Sequence, residues 1–152
     1  MSLYKELLKL SLEIIHSENL VEDKMQSICN LLDDKLDSYS WTGFYLADVD
    51  KRILNLGPYT GEATDHTTIP FGKGICGQAA ETEKTFVVDD VTAESNYISC
   101  NINVKSEIVA PILKDGLLLG QIDIDSNTPA AFTEEDQILL ENICIALAPY
   151  II

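Results

Sequence analysis

Residues 107–125 read Glu107-Ile108-Val109-Ala110-Pro111-Ile112-Leu113, then Lys114-Asp115-Gly116, then Leu117-Leu118-Leu119-Gly120-Gln121-Ile122-Asp123-Ile124-Asp125. Asp-Gly between two apolar runs is a strong hairpin signal, because both residues tolerate the positive φ that a tight two-residue turn requires. The runs over 107–113 and 117–125 therefore read as antiparallel strands. Along the second, Ile122 and Ile124 alternate with Asp123 and Asp125. With a side-chain period of two, both carboxylates leave by one face and both isoleucines by the other.

Outward from this hairpin, residues 85–88 form a short β-branched strand, and 89–103 a polar stretch that contains Cys100. A second hairpin is expected from strands over 41–47 and 52–56, joined by Asp48-Val49-Asp50-Lys51. Residues 57–67, with Pro58 and Gly61, read as a polar loop. Gly72-Lys73-Gly74 leads into a short helix over 75–80; it lacks the frame and the Ser/Thr of a nucleotide-binding loop. Leu3, Leu7, Leu10 and Ile14 give a first helix one apolar stripe, and Val21, Met25, Ile28, Leu32 and Leu36 do the same for a second. Thr133 caps a last helix with Glu134, Glu135 and Asp136 in its positive first turn and Leu139, Leu140, Ile143, Cys144 and Leu147 on its apolar face. The pattern predicts an α+β domain, an antiparallel sheet with the N- and C-terminal helices packed on one face.

The 152 residues carry 10 Lys plus Arg against 25 Asp plus Glu, a formal charge of −15. At 46% hydrophobic the chain can build a core, and with no repeat or linker it is read as one domain over 1–152. The acidic excess runs along the whole chain, so nucleic-acid backbones and anionic membrane surfaces are excluded as partners. No apolar run reaches the ~18–20 residues of a membrane span. Met1-Ser2-Leu3-Tyr4-Lys5-Glu6 does not resemble a signal peptide, so a cytoplasmic location is expected, with Cys29, Cys76, Cys100 and Cys144 reduced at rest. No two cysteines have zinc-site spacing, and His16 and His66 add no ligand cluster, so no metal is expected.

Cys29 and Cys144 sit on apolar helix faces and read as small buried hydrophobes. Cys76, near glycines at a helix start, is placed where free N–H groups and the dipole favour a thiolate. Cys100, in a polar stretch, is accessible enough for reactive chemistry. Asp123 and Asp125 repel each other and invite a cation, a metal or an amino group; a solvated strand face is the plain alternative. Glu107 opens the partner strand, and three neighbouring carboxyls would raise one pKa enough to make a proton donor. Trp41 and Tyr45 share a strand face, either as core or as the apolar wall of a small-ligand pocket.

Seven ordered segments carry a resemblance: Trp41-Thr42-Gly43-Phe44-Tyr45, Leu56-Gly57-Pro58-Tyr59, Ile69-Pro70-Phe71-Gly72-Lys73-Gly74-Ile75-Cys76-Gly77, Val88-Asp89-Asp90-Val91, Ile98-Ser99-Cys100, Ser106-Glu107-Ile108-Val109-Ala110-Pro111 and Ile122-Asp123-Ile124-Asp125-Ser126. Together they resemble the free methionine-(R)-sulfoxide reductases, single GAF domains. The resemblance implies a six-stranded antiparallel sheet and thiol-dependent reduction of free L-methionine-(R)-sulfoxide, with no cofactor. It matches Cys100 to the nucleophile, Glu107 to the acid on the sulfoxide oxygen, Asp123 and Asp125 to the ammonium partners, and Trp41 and Tyr45 to the methyl-thioether wall. A sulfenic acid on Cys100 would be resolved to a disulfide and recycled by thioredoxin. Where the family usually has a first cysteine this chain has His66, which leaves Cys76 as the expected resolving thiol. Nearby carboxylates should raise the Cys100 pKa, so the substrate ammonium would assist its activation. A non-catalytic GAF ligand sensor, or a module that dimerises through its end helices, are the competing expectations.

Overall fold

The computed structural model describes residues 2–94 and 103–151. Helices α1 (Leu3–Ile15) and α2 (Val21–Lys35) come first, and β1 (Trp41–Asp48) and β2 (Ile53–Thr60) form the first hairpin. Then come β3 (Thr68–Pro70), α3 (Gly74–Thr82), β4 (Phe86–Val88), β5 (Ser106–Lys114), β6 (Leu117–Ser126) and α4 (Glu134–Leu147). The six strands pair antiparallel in the order β3-β2-β1-β6-β5-β4. The β5–β6 turn takes φ 52° at Asp115 and 79° at Gly116, the conformation for which Asp-Gly is suited.

Alternation along the central strands divides the molecule into two cores. Ile122 and Ile124 of β6, Ile108 of β5 and Phe44 of β1 are buried against α1, α2 and α4. The opposite face buries Trp41, Tyr45 and Val109 with Ile75 and Ala79 of α3. The terminal helices thus cover one face, as the apolar stripes predict. Asp136 of α4 ties that helix to α1 and to the α2–β1 connection: its Oδ2 accepts from the Thr133 backbone N–H (2.7 Å) and hydroxyl (2.9 Å). Its Oδ1 accepts from the Tyr39 hydroxyl at 2.7 Å and the Tyr4 hydroxyl at 3.1 Å. Burial and this carboxylate push the Tyr4 phenol up to about 12.

Two expectations are corrected. Residues 57–60, expected in a loop, extend β2, and the register jump between Gly43↔Tyr59 and Tyr45↔Leu56 places Gly57 and Pro58 in a β-bulge. A bulge removes the ladder bond that Pro58 cannot donate. The short strand β3, on residues that the sequence reading left unassigned, pairs Ile53–Asn55 with residues 68–70. On α1 the buried line is Leu7, Ser11 and Ile15, while Leu3 is 43% exposed. That helix is apolar on more than one side, and its packing on α4 chooses among the stripes.

Candidate functional site

The sheet face opposite the three long helices collects the polar residues singled out in the sequence. In the strand register Trp41 lies opposite Asp125, Gly43 opposite Asp123, and Glu107 opposite Asp125 from the other side. The row Trp41–Asp125–Glu107 thus crosses three strands, with Asp123 one pleat away. All three acids are buried: Glu107 is 5%, Asp123 3% and Asp125 4% exposed. Gly43 leaves room for the ring beside it, since a Cβ there would collide with the Trp41 indole and lie 2.8 Å from Tyr59 Cβ.

Helix α3 lies over these acids. Its first turn carries Cys76, whose Sγ is 3.7 Å from Glu107 Oε2. The helix is seated close to the end of β3: the Gly72 N–H donates to the Gly77 carbonyl at 2.8 Å, and a Cβ on Gly77 would fall 2.7 Å from the Pro70 carbonyl oxygen. Between helix and sheet is a cavity of about 20 Å³ lined by Tyr45, His66, Cys76, Glu107, Asp123 and Asp125. A cleft of about 190 Å³ adjoins it through Asp125 and is bordered by Trp41, Glu62, Thr64, Asn103 and Asn127. The Trp41 ring stacks on Tyr59 at 5.4 Å and stands 6.4 Å from Tyr45. Its Nε1 donates to the Glu62 carbonyl at 3.0 Å, and the Tyr45 hydroxyl donates to the His66 carbonyl at 3.0 Å.

Burial raises the Asp123 carboxyl above its ordinary value, against hydrogen bonds with Glu107 and Cys76 and the charge of His66. Asp125 is driven well up, by burial first and then by the charge of Asp123, with a hydrogen bond to Glu107 opposing. Carboxyls that hydrogen-bond one another share a proton, so the charges of this trio depend on one another. The Oδ1 atoms of Asp123 and Asp125 are buried and accept no hydrogen bond. Two unmatched acceptors on one face are a strong field for a cation.

The Cys76 expectation is corrected here. Its thiol lies well above the usual value because of burial, then the charges of Asp123, Glu107 and Asp125. A helix N-terminus contributes only ~0.3–1 kcal/mol at exposed sites, far less than desolvating a charge beside acids. Cys76 is therefore a neutral thiol in the resting protein. Cys76 Sγ and oxygens of Glu107 and Asp123 all lie within 4.8 Å of one another, a grouping close enough to ligate a cation although no sequence spacing announces it.

Cys76, Glu107, Asp123, Asp125 and Tyr45 thus come together at one cavity, and Trp41 at the adjoining cleft. Cys100 lies outside the described residues. Cys29 and Cys144 are in the helix-side core, their Sγ atoms near the Pro58 carbonyl (3.7 Å) and the Ala110 carbonyl (3.6 Å), as small buried hydrophobes. Sequence reasoning assigned no role to Tyr59, Glu62, Asn103 or Asn127. Tyr59 sat in a recognisable segment, but polar loop residues carry no periodicity to mark them.

A family profile described as GAF domain matches residues 19–150. The chain is 42% identical over 106 residues to the free methionine-R-sulfoxide reductase of Saccharomyces cerevisiae, covering 68% of this chain and 58% of that protein's length. Its fold is similar to the X-ray structure of free methionine-R-sulfoxide reductase from Neisseria meningitidis in complex with its substrate. That similarity has a TM-score of 0.93 and 34% identity, over 98% of this chain and 88% of that one. It is similar also to fRMsr of Staphylococcus aureus in its reduced form, with a TM-score of 0.90 and 36% identity, over 100% and 97% of the two chains.

Proposed function

The chain belongs to the free methionine-R-sulfoxide reductase family of GAF domains, and from that premise we propose that it reduces free L-methionine-(R)-sulfoxide to methionine. The observation that carries this reading is the pair of buried, unmatched Oδ1 oxygens on Asp123 and Asp125, set beside Glu107 and Cys76. An α-ammonium is their natural partner, and a methionine inside a polypeptide has none. Trp41 and Tyr45 supply the apolar wall for the thioether end.

In the proposed sequence Cys100 attacks the sulfoxide sulfur while Glu107 delivers a proton to the oxygen, which leaves methionine and a Cys100 sulfenic acid. The Cys76 thiol then attacks that sulfur, releasing water and forming a Cys76–Cys100 disulfide. A thioredoxin dithiol takes over the disulfide, so two thiols are oxidised for each sulfoxide reduced. The ammonium, by neutralising part of the carboxylate field, lowers the barrier to ionising a thiol placed beside it. The span 1–152 is read as one unit: α1 precedes the family match yet supplies Leu7 and Ile15 to the helix-side core. Thiol cycling of this kind suits a cytoplasmic, reducing compartment, and among the described residues no helix is long and apolar enough to cross a membrane. Exposed Leu3, Ile138 and Ile145 on α1 and α4 support a homodimer.

The test is a thioredoxin-coupled NADPH assay on both epimers of free methionine sulfoxide and on the N-acetylated R epimer. Turnover is expected for the free R epimer, and the blocked substrate should lose roughly 2–5 kcal/mol of transition-state binding with its ammonium contact. Equal rates for free and blocked substrate would remove the role of Asp123 and Asp125. Binding without NADPH consumption would instead identify a ligand-binding module.

A further inference from the structure

We propose that His66 is the proton-transfer residue for the Cys76 thiol. Acting through Asp123, its imidazole takes the thiol proton when Cys76 attacks an oxidised Cys100, and the proton returns when the disulfide is reopened. This role rests on the resolving function given to Cys76 in the reductase reading. A thiol must shed its proton to attack, and that of Cys76 is held among carboxyls in a closed space. Tyr45 of β1, Glu107 of β5, and Asp123 and Asp125 of β6 line this space with Cys76 of α3, and all five are buried. Of the other titratable residues on the cavity, His66 is half-buried and Lys73 exposed, so these two connect it to solvent. Between the two side-chain types, only an imidazole takes up and gives off a proton near neutral pH.

Asp123 links the two groups: it hydrogen-bonds the Cys76 thiol, and the charge of the imidazole acts on its carboxyl. The backbone holds His66 in place. The Thr67 N–H donates to the Asp65 carbonyl at 2.9 Å, a γ-turn with His66 at its centre. The His66 N–H donates to Thr64 Oγ1 at 3.1 Å, and its carbonyl accepts from the Tyr45 hydroxyl at 3.0 Å. None of these bonds uses the ring, so a substitution at 66 keeps the turn. Methionine departs before the step, which frees Asp123 from its ammonium. The Cys76 sulfur then bonds to the Cys100 sulfur, the Cys100 S–O bond breaks, and the oxygen takes a proton from solvent and leaves as water. The imidazolium releases its proton to solvent, so one thiol and one sulfenic acid become one disulfide and one water. When a thioredoxin dithiol attacks the Cys100 sulfur, the Cys76 sulfur departs with the bonding pair among the same acids. Its proton comes back by the same route.

The experiment oxidises the reduced, full-length chain with hydrogen peroxide, which yields the Cys100 sulfenic acid and water without any sulfoxide, in the presence of dimedone as a sulfenic-acid trap. Peptide mapping gives the ratio of Cys76–Cys100 disulfide to trapped Cys100 at each pH. Near neutral pH the ratio should fall about 100-fold in His66→Gln, the lower end of what a positioned base contributes. The gap from wild type should widen from about pH 5 to about pH 8, because the base acts as the neutral imidazole. Added imidazole should restore the ratio in His66→Ala, and His16→Gln should match the wild type. Three results would overturn the proposal: equal ratios in wild type and His66→Gln, a wild type that forms no such disulfide, or a loss in His66→Ala that is the same at every pH and not rescued by imidazole. Free methionine-(R)-sulfoxide in place of peroxide tests the reductase reading. If no methionine is released there while the peroxide result holds, that reading alone fails.

Discussion

Asp125 is held in a place that disfavours its charge, and that has consequences for stability as well as for binding. Its carboxyl titrates well above its unfolded value, through burial and the charge of Asp123. The native state therefore holds the proton more tightly than the unfolded chain does. The resulting stabilisation is complete below the unfolded value of about 4 and is lost as pH rises through the native one. Asp125→Asn has no charge to bury, so it should match the wild type near the acid end and exceed it at neutral pH by roughly 0.5–2 kcal/mol. Urea midpoints at the two pH values measure this; an identical offset at both would mean that Asp125 ionises without penalty. The role proposed for Cys76 is of the opposite kind, inert at rest and needed after oxidation. Cys76→Ser should release about one methionine per chain, as the stoichiometry of a single sulfenic acid requires, and then recycle poorly with thioredoxin. Normal steady-state turnover in that variant would show that the reductant attacks the Cys100 sulfenic acid directly.

At the level of elements, the site depends on how closely β1 and β6 approach beneath Trp41. Gly43 lies opposite Asp123 and directly under the indole, at the point where β2 bulges through Gly57 and Pro58. Gly43→Ala must move the indole or separate the strands, an overpacking that costs about 1–3 kcal/mol. Because Trp41 borders the cleft and not the thiol, the expected signature is a raised KM with a smaller change in kcat. A variant with unchanged KM and only lower stability would place the indole outside substrate contact. The β5–β6 hairpin was legible from Asp115-Gly116 and the alternating residues alone. The β2 extension was not, because Gly57-Pro58 is a breaker in isolation and a bulge only when β1 is beside it.

For the whole molecule, the charge of −15 sets 25 acids against 10 bases. Lys35–Asp34 and Arg52–Glu81 pair at the surface. Raising NaCl from about 0.01 M to about 0.1 M shortens the screening length from about 30 to about 10 Å. With self-repulsion relieved, Tm should rise by about 2–4 °C, which corresponds to about 1 kcal/mol for a chain of this size. A Tm that falls with salt would mean that attractive pairs dominate the surface. The sequence by itself determined what depends on near neighbours along the chain: the alternation that puts Asp123 and Asp125 on one face, the hairpin that brings Glu107 near them, and the Thr133 cap. Those follow from covalent geometry, which repeats every two or 3.6 residues whatever else is nearby. The register that sets Glu107 opposite Asp125 came from the structure, through a bulge between Ile112 and Leu113. Only the tertiary structure decided which α1 stripe is buried, that Cys76 meets an acid 31 residues away, and that its thiol is neutral rather than ionised. Burial and electric field are sums over groups distant in sequence, and no local pattern contains them.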